Sequence, residues 1–97
     1  MQFDLFITPV ALSETDDAYD FYETKSEGLG DRFIESLETT YKKISHLPKS
    51  YGFISKSKDL RDVKVKDFPF VVIFQIFGNR VIILRVFNTS RKQPTKF

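Results

Sequence analysis

The sequence predicts an α+β fold, an antiparallel helical hairpin packed on a small twisted, mainly antiparallel β-sheet, and three observations predict it. Between Pro9 and Leu47 apolar residues recur at helical spacing, with a glycine break midway. From Tyr51 onward they run in short stretches separated by Gly, Pro or charged residues, as strands do. Gly78-Asn79 then joins the two most apolar stretches through a two-residue loop, the length that suits the twist of antiparallel strands.

Taken in chain order, FDLFIT alternates Phe3, Leu5 and Ile7 against Asp4, Phe6 and Thr8, the period of a short strand with one face more buried than the other. Thr8-Pro9 ends it and opens a helix, with Glu14, Asp16 and Asp17 toward the positive end and Ala11, Thr15, Ala18 and Tyr22 on one face. Gly28-Leu29-Gly30 breaks the pattern; Gly28 suits a left-handed cap, and Asp31 is placed to start the second helix. Phe33, Leu37, Tyr41, Ile44 and Leu47 form the stripe of that helix, which runs to Pro48. Strands are expected over residues 51–54, 60–65, 68–77 and 80–88. In the last hairpin Phe77 pairs with Arg80, and counting back sets Val72 against Arg85 and Phe70 against Phe87. The face meeting the helices then holds Phe70, Val72, Phe74, Ile76, Val81, Ile83 and Phe87, with Arg85 as its one charge. The other face holds Val71, Ile73, Ile82, Leu84 and Val86, framed by Gln75, Arg80 and Asn88, which reads as a docking surface.

Ninety-seven residues fit one domain, 1–97, and a chain of this size buries roughly 60 to 65 per cent of its unfolded surface, enough to fold without metals or disulfides. A hydrophobic fraction of 41%, with eleven Phe, excludes general disorder. The chain has no Cys, which removes disulfides and thiolate metal sites and fits a reducing compartment. MQFDLFITPV lacks the basic-then-apolar build of a signal peptide, and FPFVVIFQIF is far short of the roughly 18 apolar residues a membrane helix needs. The expected location is the cytoplasm. The net charge of +2 is the sum of unlike halves: residues 1–47 balance to −6 and residues 48–97 to +8. The basic half points to an acidic partner.

No nucleophile motif, phosphate-binding glycine loop or metal-ligand spacing is present, and no metal or cofactor is expected. The sole His, His46, falls at a helix C-terminus, where a structural role suffices. Lys64 and Lys66 lie on one side of a strand with Val63 and Val65 on the other, near Lys56, Lys58 and Arg61. A solvated strand edge accounts for them, and phosphate contact is the sharper alternative. The helix acids Asp16, Asp17, Asp20 and Glu23 read as a solvated face.

The string AYDFYETKSEGLGDRFIESLETTYKKISHLPKSYG, followed by LRDVKVKDFPFVVIF and RVFNTSRKQP, resembles the RelE/ParE superfamily of small toxins from bacterial type II toxin–antitoxin modules, of the plasmid-stabilisation type. The resemblance implies a helical hairpin on a small antiparallel sheet and a toxin neutralised by a small cognate antitoxin that wraps it. RelE-like members cut mRNA in the ribosome with basic side chains on the sheet, whereas ParE-like members act on DNA gyrase. For the RNA-cutting branch the matching candidates are Lys64, Lys66 and Arg91. That branch carries an arginine where this chain has Val71, and many relatives carry a histidine where it has Asn88. A Val offers no cation to a scissile phosphate, and an amide exchanges no proton near neutral pH. The expectation is therefore a ParE-like toxin acting by protein binding, with Arg80, Ile82, Leu84, Val86, Asn88 and Arg91 as partner contacts. The alternatives are a ribosome-dependent mRNA endonuclease and a decayed toxin that retains only antitoxin binding.

Overall fold

A computed structural model describes residues 2–90. The order is β1 (Asp4–Ile7), α1 (Pro9–Lys25), α2 (Leu29–His46), a 3-10 turn at Pro48–Ser50, β2 (Phe53–Ser55), β3 (Leu60–Lys64), β4 (Phe70–Phe77) and β5 (Arg80–Asn88). The strands form one sheet in the order β1-β5-β4-β3-β2; β1 pairs with β5 in parallel and the remaining pairs are antiparallel.

Thr8 caps α1 by accepting from the Ala11 amide at 3.2 Å, and Pro9 fills the first helical position, whose amide has no partner in any case. The first turn of α1 holds no acid, so Glu14, Asp16 and Asp17 do not serve its positive end as expected. The turn between the helices is tighter than the sequence suggested. Gly28 adopts φ +85°, as expected of it, but α2 begins at once on Leu29 and leaves Asp31 in its first turn. Gly30 is therefore helical, and a side chain there would meet the Tyr19 carbonyl oxygen at 2.8 Å and Glu23 Cγ at 2.7 Å. That close approach lets the Glu23 carboxylate accept from the Gly30 amide at 2.7 Å, so an acid of α1 caps the positive end of α2.

One face of each helix meets one face of the sheet. Phe33, Leu37 and Ile44 from α2 and Ala11 and Ala18 from α1 close on Val72, Phe74, Val81, Ile83 and Val86. Tyr22, Phe33, Phe68 and Phe70 pack ring against ring, with centroids 4.9 to 6.2 Å apart, mostly edge-on. Phe68 belongs to this cluster rather than to a strand: Asp67 turns the chain at φ 69° and β4 starts at Phe70. Tyr51 likewise closes the 3-10 turn, donating to Pro48 O, so β2 begins at Phe53 and not at 51. Leu47 leaves the expected stripe; it is the non-helical end of α2 and is 58% exposed.

The main correction concerns register. Phe77 does pair with Arg80, and the match runs to Phe74 against Ile83, but a bulge then leaves Leu84 as an extra residue. Arg85 sits opposite Ile73, Val86 opposite Val72 and Phe87 opposite Val71. One inserted residue exchanges the faces of everything beyond it. Val86 is thereby buried in the core at 1% exposure instead of lying on the docking face, while Arg85 and Phe87 leave the helix-facing side.

Two outcomes follow for stability. Gly30→Ala lowers the chemical-denaturation midpoint by an amount equivalent to roughly 2 kcal/mol or more, because the added methyl meets backbone, whereas Gly28→Ala costs roughly 1 kcal/mol through its left-handed φ alone. Equal midpoints for the two variants would contradict the tight approach of the helices. Tyr41 tests the opposite sign. Burial pushes its pKa up to about 12, with Thr15 partly offsetting, yet its hydroxyl makes no hydrogen bond of good geometry among the described residues. Tyr41→Phe removes a buried, unsatisfied group and is expected to hold or raise the melting temperature; a clear drop would reveal a partner for that hydroxyl.

Candidate protein-binding face

The helices cover one face of the sheet and leave the other without a covering element among the described residues. Its side chains follow from the ladder. Lys64, Val71 and Phe87 form one row, Asp62, Ile73 and Arg85 the next, then Gln75, Ile82 and Phe6, and finally Phe77, Arg80 and Asp4 at the hairpin end. The centre is apolar and half-buried, and the hairpin end is the most open part, with Phe77 at 78% and Phe6 at 46% exposure. The Arg80 guanidinium lies 5.0 Å from the centre of the Phe6 ring, a cation on an aromatic face that remains in reach of a partner. Burial raises the pKa of the Asp62 carboxyl.

Arg85 is tied down. β1 stops at Ile7, where the Thr8 amide donates to Ile83 O and the Thr8 hydroxyl to Leu84 O. Past that point β5 keeps β4 on one side but has no strand on its outer edge, and Glu14 of α1 takes the vacant place. Its carboxylate accepts from Arg85 Nε at 2.9 and 3.0 Å, from Arg85 Nη2 at 2.6 Å and from the Val86 amide at 2.9 Å. The hydrogen bonds that Arg85 donates to Glu14 raise its pKa, against a lowering by burial. A groove of about 670 Å³ opens beside this pair between α1 and the end of β5. Ala18, Tyr22, Leu29, Pro69 and Phe70 line it, with Phe21, Lys25, Phe87 and Asn88 also along it.

The open face gathers Arg80, Ile82, Ile73 and Leu84 on or beside one hairpin, as expected, and excludes Val86. Asn88 is committed to a local turn, its Oδ1 accepting from Ser90 N at 2.9 Å and Ser90 Oγ at 2.7 Å. Lys64 ends β3 and Lys66 lies beyond it, both exposed. Arg61, grouped by sequence with the lysines, instead holds the 3-10 turn, donating to Tyr51 O at 2.6 Å and Lys49 O at 3.2 Å with its guanidinium 3.9 Å from the Phe53 ring centre. Arg91, a candidate in both readings, lies outside the described residues, as do Lys92 and Lys96. The sequence reading missed Glu14 and the groove. The signal was present in Arg85, the one charge that simple alternation had put inside the core.

Among the described residues no helix is long and apolar enough to cross a membrane, and no cluster of three or more His, Cys, Asp or Glu is placed to hold a metal. No curated protein sequence matches the chain. In structure it is similar to a chain of the chromosomal ParDE toxin–antitoxin system from P. aeruginosa, with a TM-score of 0.77 at 21% identity over 88% of this chain and 94% of that one, a likeness of fold. The family model for the ParE toxin of the type II toxin–antitoxin system, parDE, matches residues 5–93, nearly the whole length. Helical hairpin, sheet order and family match agree, and the chain belongs to the ParE toxin family of type II toxin–antitoxin systems.

Proposed function

We propose that this chain is a ParE-type toxin that acts in the cytoplasm by binding a protein target, DNA gyrase, and that a small cognate antitoxin silences it. The observation that carries the non-enzymatic reading is the chemistry of the open face. A nuclease needs a preorganised cation at the scissile phosphate and a group that moves a proton. Here Lys64 neighbours aliphatic Val71 and aromatic Phe87, Arg85 is neutralised by Glu14, and Asn88 is held by Ser90. The same face suits a protein partner: an apolar centre of Ile73 and Ile82, flanked by Leu84, with Arg80, Phe6 and Phe77 at its hairpin end.

Expressed alone, the protein is expected to slow bacterial growth and to inhibit gyrase supercoiling in a purified assay, without codon-positioned mRNA cuts on ribosomes. Arg80→Glu together with Phe77→Ala, both on exposed side chains, should weaken gyrase inhibition about tenfold or more while leaving the fold intact by circular dichroism. Ribosome-dependent cleavage abolished by Lys64→Ala with Lys66→Ala would establish the endonuclease instead. Inactivity in both assays alongside intact antitoxin binding would mark a decayed toxin.

A further inference from the structure

The cations of the sheet layer gather along the edge formed by β2 and β3. Residues 49–66 carry Lys49, Lys56, Lys58, Arg61, Lys64 and Lys66 against Asp59 and Asp62. All five lysines are exposed, whereas both acids are half-buried, so solvent meets the positive groups first. None of the five forms an ion pair among the described residues, where Glu14 with Arg85 is the only one. Protecting a sheet edge from stray strands calls for charge on the outermost strand itself. That strand is β2, and Phe53–Ser55 has none; the charge lies around it.

The fold sets these lysines in a line. Gln75, on the open face, donates to Lys58 O at 3.0 Å and draws the turn at residues 56–59 to that side of the sheet, which Lys64 shares through its row with Val71 and Phe87. Asp59, at φ 55° with its amide donating to Lys56 O at 3.1 Å, fixes the turn. Between Lys58 before one end and Lys64 and Lys66 at the other, β3 extends about 16 Å at the rise of a strand. Duplex DNA presents about one phosphate charge per 1.7 Å of its axis, so about nine fall within that length. Single strands bind by stacking bases on free rings. Here Phe53 carries the Arg61 guanidinium 3.9 Å from its centre, and Tyr51 sets its ring edge-on to Phe74. The helices hold most of the −6 balance of residues 1–47 and lie on the opposite side of the sheet from the open face, so a polyanion is steered to the sheet side.

We propose that this edge binds the phosphate backbone of duplex DNA, without regard to sequence, and so holds the toxin beside the DNA on which its target works. The choice of DNA rests on the gyrase reading. The test needs no gyrase: a fluorescent duplex of about 20 base pairs is titrated with the protein and followed by anisotropy, from about 50 to 300 mM salt. Two variants remove equal charge. One carries Lys56→Gln, Lys58→Gln and Lys64→Gln on the edge, the other Lys25→Gln, Lys42→Gln and Lys43→Gln at exposed positions of the helices. The edge variant is expected to bind about tenfold or more weakly at about 50 mM salt, with the slope of log affinity against log salt smaller by about 3. The helix variant should stay within about twofold of the wild type, and both should keep its circular dichroism.

Other outcomes overturn the proposal. Equal losses in the two variants would reduce the effect to net charge, and absence of binding by the wild type at about 50 mM salt would leave no site. Tighter binding to duplex RNA or to a single strand of the same sequence would assign the edge to that nucleic acid instead. A supercoiling assay on the same preparations separates this site from the gyrase reading. A wild type that binds DNA through the edge but leaves gyrase untouched keeps the DNA site and loses the target. One that inhibits gyrase while both variants bind DNA alike keeps the target and loses the site.

Discussion

One carboxylate holds the two layers of this protein in place. Glu14 stands on α1, yet its oxygens serve β5, one strand amide and one guanidinium at once. The arrangement is needed because β1 has four residues and β5 nine, so half of β5 would otherwise leave its outer edge unpaired. An unpaired buried amide costs about 1 to 3 kcal/mol, and hydrogen bonds to charged groups contribute about 1.5 to 3 kcal/mol each. With Glu14 and Arg85 side chains 23% and 42% exposed, solvent screening discounts the ion pair, and the bond to Val86 N–H matters more for geometry. That bond sets where α1 crosses β5, and the groove is the space left over.

The bulge and the carboxylate depend on each other. Without Leu84 as an extra residue, Arg85 would point into the contact between Phe33, Ile83 and Val72, where an unpaired guanidinium has no stable place. The bulge moves Arg85 to the edge and brings Val86 inward in its stead. The aromatic cluster of Tyr22, Phe33, Phe68 and Phe70 then fills the end of the core where β5 runs on past β1. Apolar packing supplies most of the stability here, and the polar contacts choose which of two registers it stabilises.

The elements with a strong period or a strict turn were legible in the sequence. Phe33, Leu37 and Ile44 recur on one helical face, Gly28 is where a left-handed residue is needed, and Gly78-Asn79 closes the hairpin with the expected pair. The register beyond Ile83 was not legible, because VIILRVF is apolar on both sides of the alternation and a period of two cannot register one added residue. The parallel pairing of β1 was also hidden, since four residues of alternation say nothing about which strand they join. Of the docking face, Arg80, Ile82 and Ile73 could be read from spacing. Phe6 gains its place only when β1 lies beside β5, and the groove exists only because β1 is short.

The parallel pairing of β1 with β5 also imposes an order in time. The first strand made pairs with the last, so that the Thr8 hydroxyl bonds the Leu84 carbonyl 76 positions later. Contacts this far apart are slow to form, and during synthesis they must wait until β5 has left the ribosome. Helices α1 and α2 can pair early, but the row that sets Phe6 beside Ile82, the Arg80 cation on Phe6 and the edge at Asn88 all require β5. A growing chain therefore has no finished open face until β5 has been made.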